Sequence, residues 1–326
     1  MTQRAKTFTM RNGRSIPCYG LGTWQAPKGE VAAAVIAAVE AGVRHIDCAK
    51  AYNNENEIGE ALEALFKRGV VTRDELFITS KLWVHDAHPE TAAAALDKTL
   101  ADLRLDYLDL YLIHWDFSLK PGTPFPPTPE SVIVYTPERY LTLWRVLEGE
   151  VDKGKVKALG TSNFTVSKMA ALEASHLRHP ICSVQLECHP SLTQRELATC
   201  CAGKGIAMVA YSPLGSPGRP ARWVKEDQPV PLEAPAVLAA ATAMGLTPAQ
   251  VLIRFQYQRG VIPIPKSANP TRIAENFAAI SQGPDLSEGT MEALYALELA
   301  EGKGRIITGY PGVVDGRAQE WRELWM

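Results

Sequence analysis

The chain has 326 residues, 46% of them hydrophobic and 21% charged, with a formal net charge of −2. That size suits one large α/β domain or two smaller ones, and a balance without basic runs argues against nucleic acid or an anionic membrane as partner. The longest uncharged apolar run, residues 31–39, is about half the ~20 residues a membrane span needs, and the first six residues lack the apolar core of a signal peptide. Six cysteines without a Cys-x-x-Cys read as reduced thiols, and the His and Cys spacings at 85/88, 176/179 and 188/189 complete no metal motif. A cytoplasmic protein without a metal is expected.

In chain order, residues 7–16 read as a small hairpin, because Asn12-Gly13 suits a tight turn. After it comes a repeating unit: a short apolar strand, a loop, then an amphipathic or alanine-rich helix. The expected strands are 18–23, 45–49, 76–81, 108–114, 156–162, 183–187, 207–212 and 261–265. The expected helices are 30–41, 55–67, 89–103, 137–153, 166–175, 194–203, 236–244, 248–259 and 270–280. Such alternation predicts a (β/α)8 barrel in a single domain over residues 1–326. A barrel takes about 250 residues, so there is room for extra loops at 116–136 and 214–235 and for a tail after Gly302.

Active sites of barrels sit at the carboxyl ends of the strands. Trp24, Asp47, Lys81, His114, Ser162 with Asn163, Gln185, Tyr211 with Ser212, and Lys266 all stand there. A lone Asp after a strand is commonly a helix cap, a lone Lys solvated and a lone His a satisfied core group. One polar, aromatic or ionisable group per strand is a different matter, and it points to chemistry.

Tyr52, in the stretch 42–59, is the best proton donor on offer. A free phenol titrates near ~10, and an ammonium at ~4 Å in an effective dielectric of ~20 favours its anion by ~4 kcal/mol before desolvation. Lys81 is expected to be that ammonium, Asp47 to hold it charged, and His114 to orient a carbonyl oxygen. Such a group suits carbonyl reduction. Hydride must then come from a cofactor. Gly20-Leu-Gly22 begins like a dinucleotide fingerprint, but Gln25 breaks it. Asn269-Pro270 instead opens a helix whose first turn carries Arg272, with Lys266 and Ser267 nearby, and that combination makes a phosphate site.

These residues resemble the aldo-keto reductases. The matching stretches are 42–59, 77–83 and 112–115, then Gly160-Thr-Ser-Asn-Phe164, 185–190, 211–217 and 264–276, in family order along nearly the whole chain. The resemblance implies an NADPH-dependent reductase of aldehydes and ketones, sugar aldehydes among them, acting as a monomer on small-molecule carbonyl substrates. It makes Tyr52 the acid, with Lys81 and Asp47 tuning it and His114 orienting substrate. By the same resemblance Ser162, Asn163 and Gln185 hold the nicotinamide carboxamide, Tyr211 stacks on its ring, and Thr23 and Trp24 lie beside it. Ser212, Leu214 and Ser216 line the pyrophosphate. Lys266, Ser267 and Arg272 take the 2′-phosphate, with Glu275 and Asn276 at the adenine. Trp24, Trp83, Trp115 and Phe125, with Trp223, form the apolar substrate walls.

The chain departs from the family at Asp116, where proline is common, at Pro126, and in the tail from Gly302. A cofactor-binding protein without catalysis would be expected to lose part of the acid site, and this chain keeps all four residues. A Schiff-base barrel enzyme using Lys81 would have no use for a 2′-phosphate site. The loop from Ser212 to Pro220, with Gly215 and Gly218 among prolines, is expected to close over bound cofactor.

Overall fold

The computed structural model describes residues 6–124, 127–134, 136–221, 224, 228–299 and 304–307. Strands β1 (Thr7–Thr9) and β2 (Ser15–Pro17) pair antiparallel across the Asn12-Gly13 turn, where Gly13 takes a φ of 81°. Met10 and Ile16 from this hairpin pack with Phe77, Leu110 and Val209 of the main sheet and with Ala158 just before it. The hairpin therefore plugs that sheet at its amino-terminal end.

Eight parallel strands form the main sheet: β3 (Leu21–Gly22), β4 (His45–Asp47), β5 (Phe77–Leu82), β6 (Leu110–Ile113), β9 (Leu159–Ser162), β10 (Ile181–Glu187), β11 (Ala207–Tyr211) and β12 (Ile262–Pro263). They stand in chain order, and the ends meet. The Gly20 and Gly22 amides donate to the carbonyls of Pro263 and Pro265, both at 3.1 Å. β12 is short because Pro263 and Pro265 have no N–H to give. The expected (β/α)8 barrel is present.

Closure also explains Gly20-Leu-Gly22. A Cβ on Gly22 would stand 2.7 Å from the Ile264 carbonyl oxygen, and one on Gly20 would stand 2.7 Å from His45 Nδ1. These glycines serve the approach of the first strand to the last.

The helices are α1 (Val31–Glu40), α2 (Glu55–Lys67), α3 (Ala92–Leu103), α4 (Pro137–Asp152), α5 (Val166–Glu173), α6 (Arg195–Lys204), α7 (Pro235–Met244), α8 (Pro248–Gln258), α9 (Pro270–Ser281) and α10 (Glu288–Tyr295). Several begin as their sequences dictate. Thr136, Thr247 and Asn269 accept from the third residue of α4, α8 and α9, and proline occupies the first turn of each. The apolar faces of α1 to α4 meet the strands in one layer that includes Val35, Leu62, Leu96 and Trp144 against Ile46, Ile78 and Tyr111.

The structure differs from expectation in several elements. The loop at 116–136 holds a side hairpin, β7 (Phe117–Leu119) with β8 (Val132–Val134), where no strand was expected. α3 starts three residues after Pro89, because Thr91 bonds back to the Asp86 carbonyl and closes a turn. α10 was not foreseen either; Ser287 caps it by accepting from the Thr290 amide. Among the described residues no single helix is long and apolar enough to cross a membrane.

Candidate active site

A cavity of about 1240 Å³ opens at the carboxyl ends of the barrel strands. β4 delivers Asp47 to it, and the chain then makes one 3-10 turn, Lys50–Tyr52. Asn53 takes a left-handed φ of 54° and turns the backbone into α2. That short excursion sets the Tyr52 phenol over the strand ends.

Beneath it Lys81, from β5, is fully buried. Its Nζ donates to Asp47 Oδ2 at 2.6 Å, to the Cys48 carbonyl at 2.9 Å and to Tyr52 Oη at 3.2 Å. The second Asp47 oxygen accepts from Gln185 Nε2 at 2.7 Å. Both carboxylate oxygens are therefore engaged. Burial alone would lower the Lys81 pKa, but Asp47 and Tyr52 outweigh it and push it above the ordinary value. Lys81 is a fixed cation.

Tyr52 departs from the expectation drawn from charge alone. Burial pushes its phenol up to about 12, and the neighbouring ammonium offsets only part of that. Desolvation wins in this site. The proton stays on the oxygen at neutral pH, while a positive charge 3.2 Å away waits for the anion.

His114, beyond β6, is buried, with its ring 6.0 Å from that of Tyr52, 5.1 Å from Trp83 and 6.4 Å from Trp115. Burial, helped by Lys81, holds its pKa well below the usual range, so it is a neutral imidazole. Its Nδ1 has no hydrogen-bond partner among the described residues.

A second polar cluster lies across the cavity. Asn163 follows β9 with a left-handed φ of 62°, which Asn tolerates better than most residues. Its Nδ2 donates to the His114 carbonyl at 2.9 Å and to Ser162 Oγ at 3.1 Å, and its Oδ1 accepts from Tyr211 Oη at 2.8 Å. Ser162 and Thr23 sit behind the cavity wall, Thr23 donating from Oγ1 to the Asp47 carbonyl at 2.8 Å. Ser212 and Ser216 bond each other through their hydroxyls at 2.6 Å and line the cavity with Leu214.

At the far end, Lys266, Ser267, Arg272, Glu275 and Asn276 line the same cavity around the start of α9. Asn269 occupies the cap by accepting the Arg272 amide at 3.1 Å. Lys266 and Arg272 are exposed, and among the described residues neither has an ion-pair partner. Trp24, Trp83 and Trp115 line the cavity near Tyr52. Phe125 and Trp223 lie outside the described residues.

The wall at Trp115 has an unusual support. Asp116 is buried and paired with Lys168 of α5, and Tyr140 Oη donates to the Trp115 carbonyl at 3.2 Å. The buried charge pair ties the loop after β6 to the helix after β9.

Some lining residues escaped the sequence reading. Lys50 sits in the same turn as Tyr52, and Thr247, Pro248 and Ala249 open α8 beside α9. The helix start at Pro248 was legible, and its proximity to α9 was not. Ile307 also lines the cavity, from a tail with no readable pattern.

The chain is similar to known proteins. A sequence profile described as the Aldo/keto reductase family matches residues 19–298. Aldo-keto reductase family 1 member A1 of Mus musculus is 48% identical over 275 residues, 83% of each chain. The protein of the same name from Xenopus tropicalis is 44% identical over 291 residues, 89% of this chain and 88% of that one.

The chain belongs to the aldo/keto reductase family.

The structure of the aldose reductase from Schistosoma japonicum is similar, with a TM-score of 0.80 at 40% identity over 90% of this chain and 92% of that one. This aldo-keto reductase is thus an oxidoreductase enzyme. Its eight strand ends meet in one cavity, and the profile spans every barrel strand.

Proposed function

We propose that this aldo-keto reductase uses NADPH to reduce aldehydes and ketones, sugar aldehydes among them, to alcohols, with Tyr52 as general acid. The observation that carries the reading is the buried line Asp47–Lys81–Tyr52 at the base of the cavity, with bonds of 2.6 and 3.2 Å. Its chemistry is that of a proton donor with a fixed cation behind it.

The residues present fit the cofactor. Lys266 and Arg272 offer two exposed charges at a helix N-terminus without acidic partners among the described residues, which suits the 2′-phosphate. Ser267 adds a hydroxyl there, and Glu275 and Asn276 would meet the adenine. Ser212, Leu214 and Ser216 would line the pyrophosphate. Tyr211 would stack on the nicotinamide, with Ser162, Asn163 and Gln185 at its carboxamide and Thr23 and Trp24 beside it. The bound cofactor would supply hydride to the carbonyl carbon.

The protein does the rest. Trp24, Trp83, Trp115 and Phe125 would enclose the substrate's apolar part and exclude water. Neutral His114 would hold the carbonyl oxygen toward Tyr52 without competing for its proton. As negative charge grows on that oxygen, Tyr52 would pass its proton across. Lys81 would stabilise the phenolate left behind, and Asp47 would keep Lys81 charged and aimed. Lys81 as a Schiff-base nucleophile is a poor fit, because that chemistry needs a neutral amine and this one is held charged. The chain would act as one catalytic domain and as a monomer.

The test is oxidation of NADPH by the purified protein with a simple aromatic aldehyde, followed by loss of the reduced-nicotinamide absorbance. Aldehyde-dependent turnover is expected, with NADH a poorer donor. No turnover with tight NADPH binding would mark a cofactor-binding protein without reductase activity.

A further inference from the structure

Residues 304–307 lie beyond the stretch matched by the family profile, yet they are bound into the site. Gly304 packs so closely on the loop after β10 that a Cβ there would stand 1.7 Å from the Ser191 carbonyl oxygen. The amides of Ile306 and Ile307 then donate to the two oxygens of Glu187, at 2.6 and 2.9 Å. Glu187 is the last residue of β10 and is fully buried. Its carboxylate also bonds His189 Nε2 at 2.9 Å and faces the Arg305 guanidinium at 3.9 Å. Burial raises its pKa, but His189, Arg305 and the Ile306 amide more than offset that and hold it below the usual carboxylate range. The acceptor is an anion, so both amide bonds are charge-assisted.

The other side of this strap is tied as well. Gln228 Nε2 donates to the Ile306 carbonyl at 3.1 Å, and Gln228 Oε1 accepts from Arg219 Nη2 at 2.9 Å. Arg219 Nη1 in turn donates to the carbonyls of Gly215 and Ser216 at 3.3 and 3.2 Å. One side of the strap is therefore fixed to the barrel, and the other to the loop that carries Ser212 and Ser216.

We propose that Glu187 is a positioning residue for the reaction: it fixes the backbone of Ile306 and Ile307 as a wall of the cavity, and through Gln228 keeps that wall in register with the loop over the cofactor. The proposal rests on the reading of this cavity as the NADPH and carbonyl site. Glu187 does not itself line the cavity. It acts through the side chain of Ile307, which lines the cavity, and through the loop beyond Gln228.

Glu187→Gln tests it in the full-length protein. The substitution keeps the shape but turns one acceptor into an NH2 that faces a donor. Hydrogen exchange at the Ile306 and Ile307 amides, measured without ligands, should speed up by about ten-fold or more. KM for a bulky aromatic aldehyde and Kd for NADPH should each rise several-fold, while the single-turnover rate with a small aldehyde stays near wild type. Gln228→Ala cuts the outer tie and leaves Glu187 in place, so NADPH release should quicken while the two amides stay protected. Unchanged exchange in Glu187→Gln would overturn the proposal. Faster exchange with unchanged KM and Kd would overturn it too, leaving Glu187 a merely structural carboxylate. Should Glu187→Gln fail to fold, Gln228→Ala decides alone, and unaltered NADPH release would overturn the proposal. If the wild type does not oxidise NADPH at all, the functional reading fails, and the exchange measurement still reports separately on the strap.

Discussion

Tyr52 and Lys81 show how two opposing effects decide one proton. The ammonium at 3.2 Å favours the phenolate, and burial disfavours it by more, so the phenol is pushed up to about 12. Their identities and pairing were legible from two strand ends. The balance was not, because desolvation depends on how many groups pack around the oxygen. At the other end of the cavity, Arg272 has its backbone amide engaged by the helix cap, while its side chain lacks an acidic partner among the described residues. Arg272→Ala is expected to weaken NADPH by roughly ten- to 150-fold, the worth of a charge-assisted hydrogen bond of about 1.5–3 kcal/mol, with little effect on NADH. Fluorescence titration with both cofactors checks this; equal weakening would move Arg272 away from the 2′-phosphate.

At the level of elements, closure of the barrel hangs on Gly20 and Gly22. Read along the sequence they look like a fragment of a phosphate loop, and only their contact with Ile264 reveals their role. A pattern local to one strand carries no information about a partner some 240 residues away. For the same reason β7 and β8 were read as loop: each has three residues and neither packs on the barrel's own pattern. Helices with Thr or Asn caps and an early proline were legible nearly to the residue, since those signals are local. Gly22→Ala should force its Cβ into the Ile264 carbonyl and lower the unfolding free energy by about 1–3 kcal/mol. Urea denaturation measures it, and an unchanged midpoint would mean that the closing strands separate easily. In the loop after β11, Gly215 needs its glycine: φ is 77°, and a Cβ would stand 2.4 Å from Pro231. Gly218 has open space and no such need.

For the whole molecule, acid stability should be set in part by a buried histidine that the proposed reaction does not use. His45 is buried in β4, bonded through Nε2 to Thr79 Oγ1 at 3.0 Å, and burial, with Lys81 adding to it, depresses its pKa to about 3. The unfolded chain takes up a proton near its ordinary 6.5, and the folded protein does not until about 3. Stability is therefore full above pH ~6.5 and falls as the pH drops toward ~3, by about 2 kcal/mol between pH 7 and pH 5 from this group. Urea unfolding at the two pH values, with His45→Asn showing a shallower loss, is the check. A wild-type stability independent of pH over that range would rule out a buried neutral imidazole.

The barrel, the four central residues and the capped start of α9 could be read from the chain, because each repeats or caps in a local pattern. The strap at 304–307 could not, since the amides of Ile306 and Ile307 bond a carboxylate 119 and 120 positions earlier in the chain.

Everything proposed for the cavity depends on Tyr52 delivering the proton in an NADPH-dependent carbonyl reduction. Single-turnover oxidation of bound NADPH by Tyr52→Phe, compared with wild type on the same aldehyde, isolates that step. The rate should fall by about 10²–10⁴-fold with NADPH affinity nearly unchanged. A variant that keeps more than about a tenth of the wild-type rate would assign the proton to another group.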